Sequence, residues 1–183
     1  MTIILDGTAG VTFPASQTPS MTAYQGGVLT SGTAVASTSG TSITFSSIPS
    51  WVKRITVMFQ GVSTNGTSNY RIQLGSGSTQ TTGYNSIFLT SSTSAAANSS
   101  VATAGFDIGS ISTSSASLYG SATFALFGSN IWTCTGMFAN IGDVRTHFPI
   151  GAVTLSGTLD RVVVTTVNGT DTFDAGSINI LYE

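Results

Sequence analysis

Along most of the chain, apolar and polar residues alternate with a period of two. From Thr41 onward, Ile43 and Phe45 alternate with Ser and Thr. Trp51, Ile55, Val57 and Phe59 fall on one face of a strand predicted from Trp51 to Gln60, with Lys53 on that face near its end, because successive strand side chains point to opposite faces. Tyr70, Ile72 and Leu74 alternate with Arg71 and Gln73. Leu118, Ala122, Phe124 and Leu126 share a face between Leu118 and Phe127. Ile131 to Phe138 pairs with that strand across Gly128-Ser129-Asn130, and Ile150 to Leu155 and Leu159 to Val167 are two more strands. Ile178, Ile180 and Tyr182 alternate with Asn179 and Leu181. No segment has helical periodicity with caps. Ala95-Ala96-Ala97 is short and flanked by Ser and Asn, which compete with the helical backbone.

Turn chemistry divides these strands. Asp6-Gly7 between Thr2–Leu5 and Val11–Phe13, Asn65-Gly66 and Asn168-Gly169 are hairpin signals. Pro14 closes the first unit, and Ile48-Pro49-Ser50 makes a corner, since proline cannot donate to a central ladder. Residues 14–40 are small and polar and read as an extended connector, free or ordered within an assembly. Residues 75–117 are turn-rich and predict long loops, with short apolar pieces at 87–89 and 106–108. Roughly eight to ten strands follow the N-terminal segment, which predicts an all-β, antiparallel β-sandwich of jelly-roll-like type. Its expected extent is residues 41–183, behind a short extended attachment segment at residues 1–40.

Composition changes this picture in one respect. Charged residues are 7% of the chain and the net charge is -2, where a typical domain carries about 25% charged residues. Ser and Thr, about a third of the chain, must solvate the surface instead. Mean hydropathy of +0.31 and 40% hydrophobic residues argue against a disordered linker. Five Lys and Arg make no basic footprint, so nucleic acid is excluded as a partner. No stretch has the length of a membrane-spanning helix, so no membrane insertion is expected. The N-terminus lacks a basic region and an apolar core, so no secretory signal is read. The expectation is synthesis in a cytoplasm, followed by retention there or exit by another route such as lysis. So little charge opposes association weakly, which predicts an oligomer.

Groups able to do chemistry are few. Cys134 is alone, forms no intrachain disulfide, and lies in the apolar run Trp132 to Phe138; a buried inert thiol is expected. His147 is the only histidine. Asp143 four residues earlier makes a Ser-His-Asp arrangement arithmetically available, but no Gly-x-Ser-x-Gly elbow supports it. A loop or solvated histidine is expected. Asp171 and Asp174 have a spacing that suits an oxygen-liganded cation, but a turn cap is the preferred reading. Gly75-Ser76-Gly77-Ser78 has no following Gly-Lys-Ser/Thr and is no phosphate loop. One Cys and one His make no metal cluster, and no cofactor is expected. Sequons occur at Asn65, Asn98 and Asn168, two of them as Asn-Gly-Thr turns. Trp51 and Trp132 could stack on sugars, but core packing is expected for both. Tyr84 and Asn85, in a polar stretch read as a loop, are the candidate ligand-binding residues, because binding residues concentrate on loops held by a rigid scaffold.

Two stretches carry a resemblance. Ile3-Ile4-Leu5-Asp6-Gly7-Thr8-Ala9-Gly10-Val11-Thr12-Phe13-Pro14 resembles a short N-terminal motif common in bacteriophage tail-fibre and related virion proteins. Phe45 to Val57, with Ile48-Pro49-Ser50-Trp51-Val52-Lys53-Arg54 at its centre, and Asp171 to Glu183 are similar to a domain of phage and prophage tail proteins. The resemblance covers about residues 41–183. It implies a homotrimeric virion protein at the particle surface, assembled in the host cytoplasm. Residues 1–40 would bind other tail or baseplate proteins, and residues 41–183 would form a head that meets a bacterial surface glycan. It carries over no catalytic residue. Lys53 and Arg54 match the motif and are read as capping or pairing at a strand start. The expected function is a non-catalytic tail-fibre or receptor-binding subunit. The alternatives are a capsid decoration or head-fibre protein without an adhesive role, or a small capsule depolymerase, which would need two carboxylates across a sugar.

Overall fold

The structure is a computed structural model, and it describes residues 4–6, 10–12, 29–92, 97–109 and 111–183. All regular structure among them is strand. Strands β1 (Ile4–Asp6) and β2 (Gly10–Thr12) pair antiparallel, with Leu5 opposite Val11. Residues 13–28, which hold Pro14 and much of the expected connector, lie outside the described residues. Then come β3 (Thr30–Ser31), β4 (Val35–Ala36), β5 (Ser42–Ser46), β6 (Arg54–Thr64), β7 (Tyr70–Ser76) and β8 (Ser78–Thr79). The middle of the chain supplies β9 (Tyr84–Ser92), β10 (Asn98–Ala102) and β11 (Phe106–Ile108). The last five are β12 (Leu118–Gly128), β13 (Ile131–Asn140), β14 (Arg145–Thr154), β15 (Arg161–Thr166) and β16 (Phe173–Tyr182).

Two antiparallel sheets pack as a sandwich. The large sheet has the order β10-β9-β14-β13-β12-β6-β16, with β3 and β4 both laid on the outer edge of β16. The small sheet has the order β11-β7-β15-β5, with β8 folded back on β7. One pairing scheme generates most of this. Ile55 lies opposite Tyr182, Tyr70 opposite Thr166, Tyr84 opposite Val153 and Ser92 opposite Arg145. The chain from β6 to β9 therefore runs back along the chain from β14 to β16 as one long hairpin, whose register slips by at most one residue between successive strand pairs. Nested antiparallel pairs of this kind are what make the sandwich jelly-roll-like. The β12–β13 hairpin at the inner end does not cross to the second sheet; it fills the large sheet between β14 and β6.

The core lies between the sheets. Ile55, Val57 and Phe59 of β6 and Leu118, Ala122 and Phe124 of β12 are buried with Tyr70, Ile72 and Leu74 of β7. Aromatic rings join the layers: Phe59 meets Tyr70 at 6.4 Å, Tyr84 meets Phe106 at 5.0 Å and Phe106 meets Phe124 at 5.3 Å between ring centres, while Phe59 meets Phe138 at 5.1 Å within the large sheet. Each such side chain contributes roughly 1.5–3 kcal/mol on burial. The β12–β13 turn has Ser129 and Asn130 at positive φ, a pair of left-handed residues that suits the twist of a tight hairpin.

Three expectations are corrected. Residues 75–117 are not mainly loop: they hold the end of β7 and all of β8, β9, β10 and β11. Residues 29–40 are not a free connector. β3 and β4 pair with β16, and Ser37 is buried, donating its N–H to Gly176 O and its hydroxyl to Ala175 O. His147 is not in a loop or in solvent; it is fully buried in β14.

Candidate functional site

Tyr84 was read from the sequence as a loop residue for ligand contact, and the structure corrects this. It opens β9 with its ring buried against Phe106. Its hydroxyl accepts from Leu74 N–H at 2.9 Å and donates toward Gln80 O at 3.0 Å. Burial pushes the phenol up to about 12, so it stays protonated. No face of the ring is free for a ligand. Asn85, one residue on, points outward and is exposed, as the pleat requires.

Most of the charged groups are used in ion pairs and turn hydrogen bonds. Arg71 and Asp107 form a two-pronged pair, 2.6 and 2.9 Å, on the outer side of the small sheet. Arg161 pairs with Asp160, and Arg54 with Glu183. The Lys53 and Arg54 N–H groups both donate to Glu183 O, so the strand-start role read for this pair runs through the last residue of the chain. Asp171 accepts from Ser68 N–H and the Asn168 amide, and Asp174 from the Ser63 hydroxyl. They clamp the two turns that begin Asn65-Gly66 and Asn168-Gly169. Asp143 accepts from the Ser112 N–H and hydroxyl, Thr113 and Asn140. Partial burial pushes its carboxyl up, but the Ser112 and Thr113 hydrogen bonds and the Arg145 charge outweigh this and hold it below the usual carboxylate range.

His147 and Asp143 are not arranged as a catalytic pair. The only hydrogen bond of the His147 ring is to Thr90, at Nδ1, and Nε2 is buried without a partner. Burial first, then the Arg145 charge, lowers its pKa to about 4, against some opposition from Asp143. Cys134 is buried, and desolvation pushes its thiol up, so it is unreactive. Trp132 is buried, and Trp51 packs half-buried on Tyr182 at 5.8 Å. Among the described residues no three metal-ligating side chains cluster, and no helix is long and apolar enough to cross a membrane.

The surface feature left over is the outer face of the large sheet around β9, β10, β13 and β14. In β9, Ser86 and Thr90 point inward while Ile87 and Leu89 point outward; in β14, His147 and Pro149 point inward while Ile150 is exposed. Tyr84, Phe88 and Val153 also point inward, so these strands carry apolar residues on both faces. Register explains it: Ile87 lies opposite Ile150 and Val101, and Leu89 opposite Phe148, so the apolar side chains form one band. Two hollows flank the band. One, ≈ 500 Å³, is walled by Asn85, Ile87, Val101 and Ile150 over Gly151. The other, ≈ 510 Å³, lies at the β13–β14 turn between Ser91, Ala139, Ile141 and Val144, with Arg145 also on its wall. No charged residue occupies the outward positions from Asn85 to Ser91 or from Thr146 to Ala152. The chain matches no known family model, no curated protein and no solved structure.

Sequence reasoning missed this face. The available signal was the apolar piece Ile87 to Leu89 bracketed by Ser86 and Thr90, which reads as a short run inside a polar stretch unless its outward half is taken as the important one.

Proposed function

We propose that the protein is a non-catalytic structural and adhesive component of a bacteriophage particle, of the tail-fibre or receptor-binding kind. The observation that carries the non-catalytic part is the use of the charged groups: from Asp107 to Glu183, each carboxylate is tied into a strand start, a turn or an ion pair. A hydrolase needs a carboxylate or histidine free to meet substrate. The phage part rests on the resemblance of residues 3–14, 45–57 and 171–183. The antiparallel sandwich suits an adhesive head, and the uncharged Ser- and Thr-rich surface suits hydrogen bonding to a bacterial surface glycan. In this reading the protein is a homotrimer. Attachment to other tail or baseplate proteins falls on the part of residues 1–40 that precedes β3.

Immunogold electron microscopy of particles tests the placement, with gold expected on the tail. Gold on the capsid would replace this reading by a decoration protein. Binding of the purified protein to host cells, competed by host surface polysaccharide, is the expected adhesive result. Depolymerisation of that polysaccharide by the protein alone would overturn the non-catalytic reading.

A further inference from the structure

We propose that the apolar outer face of the large sheet, centred on Ile87, Leu89, Val101, Met137 and Ile150, is where a second copy of this chain docks. The first support is the two-sided pleat. The register that buries Tyr84 and Phe88 also leaves Ile87 and Leu89 outside and puts Ser86, Thr90 and His147 inside. Ser86 Oγ, Trp132 Nε1 and His147 Nε2 are buried without hydrogen-bond partners beneath this face. The sandwich thus tolerates polar atoms in its interior while apolar side chains stand outside, an arrangement that gains stability once the outside is covered.

The second support is area. Val101 is 69% exposed, Met137 62%, Ile150 56%, Ile87 51% and Leu89 37%. Together they present on the order of 500 Å² of mostly apolar surface, against roughly 800 Å² contributed by each partner to a standard interface that is more than half apolar. The third is charge. Copies of this uncharged band gathered about a threefold axis meet with no charge to desolvate and no like-charge repulsion. The opposite face of the sandwich differs: the small sheet turns Arg71, Asp107 and Arg161 outward. A highly charged partner has nothing to pair with on the band itself, since Arg54 and Arg145 of the large sheet lie outside it, whereas a second copy matches it in chemistry.

The inference rests on the assembly part of the proposed function and not on the virion placement. Sedimentation equilibrium of the full chain at micromolar concentration tests it. The wild type is expected to assemble. Ile150→Lys and the milder Ile87→Thr are expected to weaken assembly at least tenfold, while Thr44→Lys, on the exposed side of β5, leaves it unchanged. Near-ultraviolet circular dichroism checks that each variant keeps the packed fold, and Ile87→Thr serves if Ile150→Lys does not. A wild type that stays monomeric overturns both the face and the homotrimer, and leaves the band to a sugar or another virion protein. Assembly that survives both substitutions in folded protein overturns the face alone.

Discussion

Thr90 and His147 lie directly opposite each other on β9 and β14, with 3.0 Å between Oγ1 and Nδ1, in the interior of the large sheet. Gly109 leaves room for the pair: a Cβ there would stand 2.5 Å from the hydroxyl and 2.8 Å from the ring nitrogen. With Nε2 buried and unpartnered, the imidazole is accommodated only while neutral. Arg145 adds to the penalty on its charged form and Asp143 offsets part of it.

A pH dependence follows. The folded pKa is about 4, and the unfolded value is about 6.5. Below 6.5 the unfolded chain takes up a proton that the folded chain refuses, so stability falls as pH drops through that window and levels off below 4. The total loss is about 3 kcal/mol. Urea unfolding at pH 7 and pH 5 should differ by about 2 kcal/mol in the wild type, and His147→Gln should remove most of that difference. An unchanged difference in the variant would place the titration elsewhere.

How much of this was legible in the sequence depended on where the apolar half of each strand pointed. β6 and β12 read clearly because Ile55, Val57, Phe124 and their neighbours alternate with polar residues and face the core. β9 did not, because its inward residues include Ser86 and Thr90. β3 and β4 have two residues each and no periodicity to detect. Nothing in the sequence around His147 announces a central strand, because Pro149 lies two residues on and a central strand rarely holds proline. Tyr84 follows Gly83 in a polar stretch, and nothing local signals that Leu74, ten residues earlier, supplies the partner of its hydroxyl.

Pro149 is accommodated by the residue across from it. Gly136 stands opposite on β13, where the ladder opens between the pairs Thr135–Ile150 and Phe138–His147. A Cβ at Gly136 would meet Pro149 Cγ at 2.9 Å and Ala122 Cβ at 3.0 Å. Gly136→Val should therefore destabilise by about 1–3 kcal/mol through overpacking. Adding Pro149→Ala should recover part of that loss, because the two sites share one contact. Thermal unfolding of the two single variants and the double variant checks the coupling; strict additivity would mean that the ring does not set the glycine requirement.

Arg71 and Asp107 join β7 to β11, the edge strand of the small sheet, and both side chains are largely covered. Removing one partner leaves the other charge poorly solvated. Arg71→Ala is expected to cost about 3 kcal/mol, with Arg71→Met plus Asp107→Leu closer to the wild type, since an apolar pair replaces an ion pair at little loss. A double-mutant cycle in urea measures this. A loss below about 0.5 kcal/mol for Arg71→Ala would assign the pair the small weight of a surface salt bridge.

Tyr84 and Asn85 separate scaffold from surface within one dipeptide. Tyr84→Phe keeps the ring on Phe106 and removes the hydroxyl that serves Leu74 and Gln80. It should cost about 1–2 kcal/mol of stability, because a buried backbone N–H loses its acceptor. Assembly and cell binding of the folded variant should match the wild type. Asn85→Lys leaves the core untouched and sets a charge at the rim of the hollow walled by Ile87, Val101 and Ile150. Stability should stay within about 0.5 kcal/mol, while self-association weakens. Thermal melting and sedimentation on the two variants read these quantities independently. A Tyr84→Phe protein with unchanged stability and lost cell binding would return Tyr84 to the ligand-contact role that its burial now denies it.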